Sequence, residues 1–295
     1  MTKDVIMFCD TGIDDAVSIM MALSDKKINL KAVVATRGNV NQKQVAKNTI
    51  KILEFVKKDV PVFLGNRKKF GKTKFKMKSV HGKDGLGGYP FMKPKQKAKS
   101  FKEFIDFFNQ QKNKVSLICT GPLTDLAFLS EKVNLNEKVE DIYLQNGELS
   151  DPNYTSFNVA EDPKAVEKIL SLNLPIYICP SDMGHIAYLN KKDVEKIRKT
   201  NKTGEMLEFI FRSHHDRVVK NNVAPHDACL IYSFSTPQKF EWKYANLVVD
   251  YINGIGILHF DFCKKKTNKK ICTQIDIKSF KNYMFDCVKN IETLD

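Results

Sequence analysis

The sequence predicts a single α/β domain over residues 1–295, with an open, mostly parallel, Rossmann-like central sheet flanked by helices. Two observations lead to this fold class. Short apolar runs alternate with amphipathic helical patterns along most of the chain, and polar residues follow several of these runs. Such alternation is typical of parallel sheets, which bind ligands at the carboxyl ends of their strands. Because the chain contains no internal repeat and no Pro/Ser-rich linker, we expect one core and no domain boundary.

The clearest strand-to-helix signal opens the chain. An apolar run that ends at Cys9 is followed by Gly12 and by a helical pattern of apolar residues from Ala16 to Leu23. This pattern predicts a buried strand that feeds a helix. Further strands with helical patterns between them are predicted at 30–36, 60–64, 115–119, 141–144 and 174–179.

The last third of the chain has a different pattern. It is mostly helical over 192–219, and short strand patterns follow at 247–252, 254–262 and 271–277. A final helix is predicted from Lys278. We interpret the weak strands as a small C-terminal β-hairpin.

Three carboxylates cluster where the first strand is predicted to end. Asp10 would follow the strand, with Asp14 and Asp15 in the first turn of the helix. Carboxylates this close repel one another unless a cation, a proton or the helix N-terminus compensates them. A hard cation with oxygen ligands, Ca²⁺ or Mg²⁺, would do so, and no Cys or His pattern indicates zinc. The alternative is that Asp14 and Asp15 only cap the helix, with Asp10 solvated in a loop.

Segment 66–99 loses hydrophobic periodicity and is strongly basic. It holds twelve lysine and arginine residues against the single acid Asp84, in a chain whose net charge is +14. A loop of this length is usually a lid or an insertion, so we predict a mobile lid at about 66–99. Such a stretch can attract nucleic acid or an anionic surface, but its few aromatic residues favour a solvated loop without a nucleic-acid partner.

The cysteines and the N-terminus bear on location. Seven cysteines, an odd number without a C-x-x-C pair, predict a reducing compartment. The chain has no recognisable signal peptide, and none of its apolar runs reaches the length of a membrane span. We therefore expect a cytoplasmic protein with no membrane partner.

The motifs together resemble the nucleoside hydrolase family, the inosine-uridine preferring nucleoside N-ribohydrolases. The opening D-x-D-P-G-x-D-D-A of that family is matched by residues 8–16, and six ordered motifs span residues 5 to about 235. The later motifs are Gly38-Asn39, the loop His81-Gly82-Lys83-Asp84-Gly85-Leu86, Thr120-Gly121-Pro122-Leu123-Thr124, Phe157-Asn158 followed by Asp162-Pro163, and His226-Asp227.

The resemblance implies a Ca²⁺ held by Asp10, Asp15, Asp227 and the backbone carbonyl of Thr120. Three carboxylates and a carbonyl would leave room in an oxygen shell for water and two substrate hydroxyls. Asp10 would also be the base that deprotonates the water attacking the anomeric carbon of the ribose.

The same resemblance implies the substrate contacts. His226 matches the position of a histidine that in some members protonates the departing base, and His81 would lie at the base end of the pocket. The implied sugar contacts are Asp14, Asn39, Asn153, Asn158 and Asp227, although the loop that carries Asn153 is shorter than in the family.

Some positions depart from the family pattern. Phe8 replaces the first Asp of the opening motif, and Gln145 stands where the family often has Met. Ser156 stands where a Glu usually precedes Phe-Asn, which leaves the contact to the ribose 5′-hydroxyl open. We interpret His185 as structural.

The implied activity is Ca²⁺-dependent hydrolysis of the N-glycosidic bond of purine or pyrimidine ribonucleosides to ribose and free base, in nucleoside salvage. The partner would be the small-molecule ribonucleoside, and the assembly a homodimer or homotetramer. A phosphatase of the haloacid dehalogenase class is one alternative, but it needs a second Asp where Gly12 stands. The other is a catalytically impaired nucleoside-binding protein on the same scaffold with a polyanion partner, against which the complete set of motif carboxylates argues.

Overall fold

The computed structural model describes residues 2–75, 81–215 and 222–291, apart from the side chains of 214 and 215. The strands in this part of the chain are β1 (Lys3–Cys9), β2 (Ile28–Ala35), β3 (Val62–Leu64), β4 (Val115–Cys119), β5 (Val139–Gln145), β6 (Ile176–Cys179), β7 (Phe240–Ile252), β8 (Ile255–Phe262) and β9 (Lys269–Ile275). The helices are α1 (Ile13–Ser24), α2 (Gln42–Phe55), α3 (Phe101–Asn109), α4 (Thr124–Ser130), α5 (Leu135–Lys138), α6 (Phe157–Glu161), α7 (Pro163–Leu170), α8 (Ser181–Ile186), α9 (Lys191–Arg198), α10 (Lys202–His215), α11 (His226–Ser235) and α12 (Ile277–Lys289).

The strands form one sheet in the order β3-β2-β1-β4-β5-β6-β9-β7-β8. All pairs from β3 to β9 are parallel, and β7 pairs antiparallel with both β9 and β8. The predicted fold class, with its mostly parallel central sheet, is confirmed.

Both faces of the sheet are buried, which explains the continuous apolar run of β1. Val5, Met7 and Cys9 pack into one hydrophobic cluster, whereas Ile6 and Phe8 pack into a second cluster on the opposite face. Successive side chains of a strand point to opposite faces, so a strand covered by helices on both sides must be apolar at every position.

The predicted C-terminal hairpin is present but extends the main sheet. β7 and β8 form it, and its turn contains Asn253 and Gly254 at φ 54° and 80°. These are the left-handed backbone angles that tight hairpin turns require. The next strand, β9, lies between β6 and β7 and so joins the hairpin to the parallel strands. β7 also begins at Phe240, seven residues before the prediction. Its first half alternates polar and apolar residues, as in an antiparallel strand with one buried face, and so contains no continuous apolar run.

Other boundaries shift modestly. β3 and β6 begin two residues later than predicted, at Val62 and Ile176. The helical stretch predicted over 192–219 is two helices, α9 and α10, and its last residues lie outside the described chain.

The basic segment 66–99 is described at 66–75 and 81–99. In the first part, Lys69 pairs with Glu161 at 2.8 Å, and the N–H groups of Phe70 and Gly71 donate to Asp162. In the second part, Leu86 is fully buried in the core. A movement of the whole segment would break these contacts, and its role as a mobile lid stays a prediction.

Within the described residues, no helix is long and apolar enough to cross a membrane. All seven cysteines are free, and six of them are buried. Buried thiols of this kind pack as small apolar side chains. The cytoplasmic location stays a prediction.

Candidate active site

The register of the sheet aligns the strand ends that carry the motifs. Cys9 of β1 pairs with Ala35 of β2, and Phe8 pairs with Cys119 of β4. The residues that follow these strands therefore meet at one edge, around a cavity of about 330 Å³. The predicted residues that line it are Asp10, Asp14, Asn39, His81, Thr120, Asn158, His226 and Asp227. Its size is in the range of small-ligand pockets.

Asp10 is buried and closely packed. Its Oδ2 accepts a hydrogen bond from the backbone N–H of Asn39 at 2.9 Å. A Cβ at Gly38 would lie 2.0 Å from this oxygen, and a Cβ at Gly121 would lie 2.8 Å from Oδ1. The two motif glycines therefore leave just enough room for the carboxylate.

Asp15 lies in the first turn of α1 and ties three segments together. Its Oδ2 accepts hydrogen bonds from the backbone N–H of Gly12 at 2.8 Å and from Nδ2 of Asn39 at 3.3 Å. Its Oδ1 accepts one from Oγ1 of Thr120 at 2.7 Å. Asp15 is fully buried and acts as the junction of the strand ends.

One oxygen each of Asp14, Asp15 and Asp227 lie within 4.8 Å of one another. The sequence predicted Asp10 in this metal-ligand position and Asp14 on the sugar. Asp14 lies in the trio because it and Asp15 are consecutive in the first turn of α1, next to Asp227 at the start of α11. Asp10 lies beside the trio, and its charge acts on Asp227.

Asp10, Asp15 and Asp227 are electrostatically unfavourable as anions. Burial, followed by repulsion from neighbouring carboxylates, holds the pKa of Asp10 and Asp227 well above the ordinary range and raises that of Asp15 to about 7. Of the described lysines and arginines, none forms an ion pair with them. An all-oxygen donor set that needs positive charge fits a hard cation such as Ca²⁺.

Asn158, at the start of α6, is fixed by its amide nitrogen. Nδ2 donates to the backbone oxygens of Thr120 at 2.7 Å and Gln145 at 2.8 Å, and lies 3.1 Å from Oε1 of Gln145. The Thr120 carbonyl, a predicted metal ligand, thus lies at the same edge of the sheet as the carboxylates and accepts a hydrogen bond from Asn158. Gln145, which the sequence showed only as a departure from the family, orients Asn158.

The ring of His226 is oriented by a backbone carbonyl. Its Nδ1 lies 3.0 Å from the oxygen of Ser181. Because a carbonyl only accepts, Nδ1 carries the proton of this hydrogen bond. The ring of His185 lies edge-on against this ring, with the centroids 4.8 Å apart, and also lines the cavity. Its interpretation as structural stays a prediction.

His81 is oriented in the opposite sense. Its Nδ1 accepts a hydrogen bond from the backbone N–H of Ile13, at the start of α1, at 3.2 Å. While this bond is kept, Nδ1 carries no proton and the neutral ring carries its proton on Nε2.

Asn153 is the predicted contact that the structure does not bring to the cavity. It is exposed, and its backbone N–H donates to Asp151 in a tight turn, while the next residue, Tyr154, lines the cavity. The shorter loop turns back on itself one residue too early for Asn153 to reach the site.

The structure shows what surrounds two residues that depart from the family pattern, Phe8 and Ser156. Phe8 packs edge-on against Phe104 at 5.7 Å in the apolar core. Oγ of Ser156 accepts a hydrogen bond from the backbone N–H of Gly147 at 2.8 Å. Glu148, which the sequence analysis did not single out, lines the cavity beside it. The only sequence signal for Glu148 was its position shortly after the end of β5.

Comparison with known proteins agrees with the geometry. The sequence profile of the family described as inosine-uridine preferring nucleoside hydrolase matches residues 5–282. The non-specific ribonucleoside hydrolase RihC of Shigella boydii is 26% identical over 296 residues, covering 96% of this chain and 97% of that protein. The pyrimidine-specific ribonucleoside hydrolase RihA of Photobacterium profundum is 30% identical over 254 residues, covering 81% of this chain and 82% of that protein. Among solved structures, a purine-preferring ribonucleoside hydrolase from Gardnerella vaginalis superposes with a TM-score of 0.87 at 21% identity, covering 97% of this chain and 98% of that one.

Proposed function

Because the chain belongs to the inosine-uridine preferring nucleoside hydrolase family and is therefore a ribonucleoside hydrolase, we propose that it cleaves purine or pyrimidine ribonucleosides to ribose and free base, with Ca²⁺ as its cofactor, in nucleoside salvage. The observation that carries this proposal is the buried cluster of Asp14, Asp15 and Asp227, with Asp10 beside it, at a nucleoside-sized cavity. The relatives differ in the base they are named for, so both classes of base stay in the proposal.

The residues assigned to the cation are Asp10, Asp15, Asp227 and the Thr120 carbonyl, with Asp14 added from the geometry. When bound, Ca²⁺ supplies the positive charge that offsets the carboxylates and makes nearby water more acidic. Asp14, Asn39, Asn158 and Asp227 are assigned to the ribose hydroxyls.

The carboxylates suit the transition state of this reaction. Cleavage of a glycosidic bond develops positive charge on the sugar ring, which nearby negative charge stabilises. Asp10 is assigned as the base for the attacking water. Its Oδ2 is engaged by the Asn39 N–H, and so Oδ1 is the oxygen that we assign to the water proton.

Protonation of the departing nucleobase is assigned to His226. The Ser181 carbonyl accepts the Nδ1 proton, so that His226 would protonate the departing base from Nε2 when its ring is the imidazolium, which carries a proton on each nitrogen. His81 is assigned to orienting the base, because its Nδ1 is engaged with the backbone of α1.

The experiment is ribose release from inosine, guanosine, uridine and cytidine by Ca²⁺-loaded protein. Turnover of at least one purine or pyrimidine nucleoside supports the proposal. Tight binding of nucleosides without release of ribose from any of them would contradict it and favour a binding protein on the same scaffold.

A homodimer or homotetramer in the cytoplasm is part of the proposal. The support is the family resemblance together with exposed apolar side chains on the outer hairpin, among them Val248 and Phe262. Light scattering coupled to size-exclusion chromatography measures the assembly directly, and a monomer at micromolar concentration would contradict it.

A further inference from the structure

A second cavity lies beside the active-site cavity, and its wall is basic. Its volume is about 790 Å³, and Asn39 lines both cavities. Among the described residues, no aspartate or glutamate lines this second cavity, whereas four cationic residues do: Arg37, Lys43, Arg67 and Lys83. We refer to it as the cationic cavity. A cleft lined by charges of one sign focuses their field and concentrates ions of the opposite sign.

The cationic residues come from separate segments of the chain. Arg37 follows β2, and Lys43 lies in the first turn of α2. Arg67 and Lys83 lie at separate places between β3 and α3. Because these segments are distant in sequence, only the fold brings the four charges around one space. The cationic cavity is therefore more specific than a run of neighbouring surface lysines.

The nearest acid in sequence is engaged by its own loop. Asp84 follows Lys83, but its Oδ1 accepts the backbone N–H groups of Leu86 and Gly88, each at 3.1 Å. In the part of the chain that the structure describes, the cationic residues of the cavity other than Arg37 form no ion pair. Their charges are thus not compensated by the protein.

Arg37 has one distant partner, which it shares. Its Nε lies 3.6 Å from Oε1 of Glu161, whereas Nζ of Lys69 lies 2.8 Å from the same oxygen. Lys69 is therefore the closer counter-charge of Glu161. A guanidinium has five N–H donors, so Arg37 keeps most of its donors for a ligand.

Side-chain contacts with the backbone fix the wall of the cationic cavity. Nε2 of Gln42 donates to the carbonyl of Asn66 at 3.0 Å, which joins the start of α2 to the chain after β3. Nδ2 of Asn48 donates to the carbonyl of Asp84 at 2.8 Å and ties a second loop to α2. A wall that is already ordered lowers the entropic cost of binding. The first turn of α2 contains no acidic residue, so its N–H groups add to the positive potential.

Charge and size indicate the ligand. A neutral nucleoside gains little from these cations, so the cationic cavity suits a different ligand from that of the active site. Arginine and lysine are the side chains that bind phosphate best, because a guanidinium contacts two phosphate oxygens at once. A single phosphate would leave most of this cavity empty, whereas a chain of phosphate groups fills more of it and matches several cations.

We propose that the cationic cavity binds the polyphosphate chain of a small molecule, with these cationic contacts: Arg37, Lys43, Arg67 and Lys83. Inorganic triphosphate and a nucleoside triphosphate share this chemistry, and they differ only in the nucleoside. The site is distinct from the carboxylate cluster, although Asn39 separates the two cavities by a single side chain.

The test is the binding of two probes, inorganic triphosphate and ATP, by isothermal titration calorimetry at low and high salt in buffer without free Ca²⁺. Binding should weaken as salt rises, because the contacts are ionic. Arg67→Gln combined with Lys83→Gln should weaken it by about 10-fold or more, the scale of hydrogen bonds to a charged group. Both residues are exposed, so their substitution leaves the core intact. Equal affinity for the two probes would assign the site to the phosphate chain alone, and tighter binding of ATP would add the nucleoside to it.

A matched control is Lys72→Gln combined with Lys74→Gln. It removes the same charge from the same basic segment, but neither lysine lines the cationic cavity. The control should bind both probes within about a factor of two of wild type, because distant exposed charges are screened. Equal weakening in the two double variants would overturn the inference, since net charge and not the cavity would then attract the probes.

A third variant separates the cationic cavity from the active site. Asp227→Ala removes a residue assigned to the active-site cation and should keep the binding of inorganic triphosphate. Loss of binding in this variant would overturn the inference, because the anion would then lie on that cation. Failure of wild-type protein to bind either probe would also overturn it. Binding is measured directly, so none of these outcomes depends on nucleoside hydrolysis.

Discussion

Two kinds of buried carboxylate lie in this protein, and the chain satisfies only one of them. Asp162 is fully buried and accepts hydrogen bonds from the N–H groups of Phe70, Gly71 and Ala165 and from the hydroxyl of Thr124. Asp10, by contrast, lies beside three other carboxylates and accepts the N–H of Asn39.

This difference separates a structural carboxylate from a functional one. A carboxylate surrounded by donors of its own chain is compensated on folding. Carboxylates that face one another raise each other's pKa and are compensated only by something that binds. Burial alone therefore does not identify a site, whereas a group of buried carboxylates that repel one another does.

The largest expected effect tests this contrast directly. Asp10→Asn should lower turnover by about 10³-fold or more, because it removes the base and part of the charge that holds the cation. Asp162→Asn should keep kcat per folded molecule and lower the free energy of unfolding by about 1–3 kcal/mol, because its donors lose a charged acceptor. Steady-state kinetics and thermal unfolding of both variants provide the measurement. Comparable losses of kcat in the two variants would contradict the distinction between a structural Asp162 and a functional Asp10.

The next effect concerns the leaving group. His226→Ala should lower turnover of inosine by about 10²-fold, the usual scale for a positioned general acid. On p-nitrophenyl riboside the loss should be much smaller, because that leaving group departs without a proton. If both substrates lost rate equally, His226 would hold the site together and donate nothing.

A smaller effect is expected on the stability of the folded protein, through the buried carboxylate of Asp125. The backbone N–H of Asn66 donates to its Oδ1, and its buried Oδ2 has no hydrogen-bond partner in the part of the chain that the structure describes. Burial raises its pKa from 3.8 to about 7. The folded state then binds the proton more tightly than the unfolded state, so this group costs stability as pH rises from about 4 to about 7.

Asp125→Asn removes the ionisable group and should raise stability by about 1–2 kcal/mol at pH 8, with almost no change at pH 4. Differential scanning calorimetry of both proteins at the two pH values measures this difference. A change of equal size at both values would mean that the raised pKa is not the cause.

The smallest expected effect is on the basic segment 66–99. Replacing Lys72, Lys74, Lys76 and Lys78 together by Gln, of which Lys76 and Lys78 lie outside the described residues, should leave turnover of neutral nucleosides within about a factor of two, because surface charges such as those of the exposed Lys72 and Lys74 act weakly on a neutral ligand. Kinetics at low and high salt check this. A large, salt-sensitive loss would indicate an anionic substrate or partner.

The residues that follow the buried strands are the part of the site that could be predicted from the sequence. β1 is apolar at every buried position, so its end, and with it Asp10, could be located from the sequence alone. The parallel register then brings Thr120 to the same edge without further information. The first half of β7 was missed because the prediction relied on continuous apolar runs, whereas these residues alternate in polarity, the pattern of a strand with one buried face.

The misses in the site share a physical cause. Asn153 matched a family position, but the closure of a short turn decides whether its side chain reaches the cavity. His185 and Glu148 lie in a short helix and a loop that meet only in the folded chain. Sequence spacing locates residues that follow strands, whereas contacts between loops depend on tertiary packing.

The most direct test of the account is a Ca²⁺ titration of chelator-treated protein, with bound metal and ribose release measured on the same samples. The account predicts almost no turnover without metal and recovery that reaches its plateau at one Ca²⁺ per chain, with Asp227→Ala losing both binding and recovery. Full turnover by metal-free protein would contradict it.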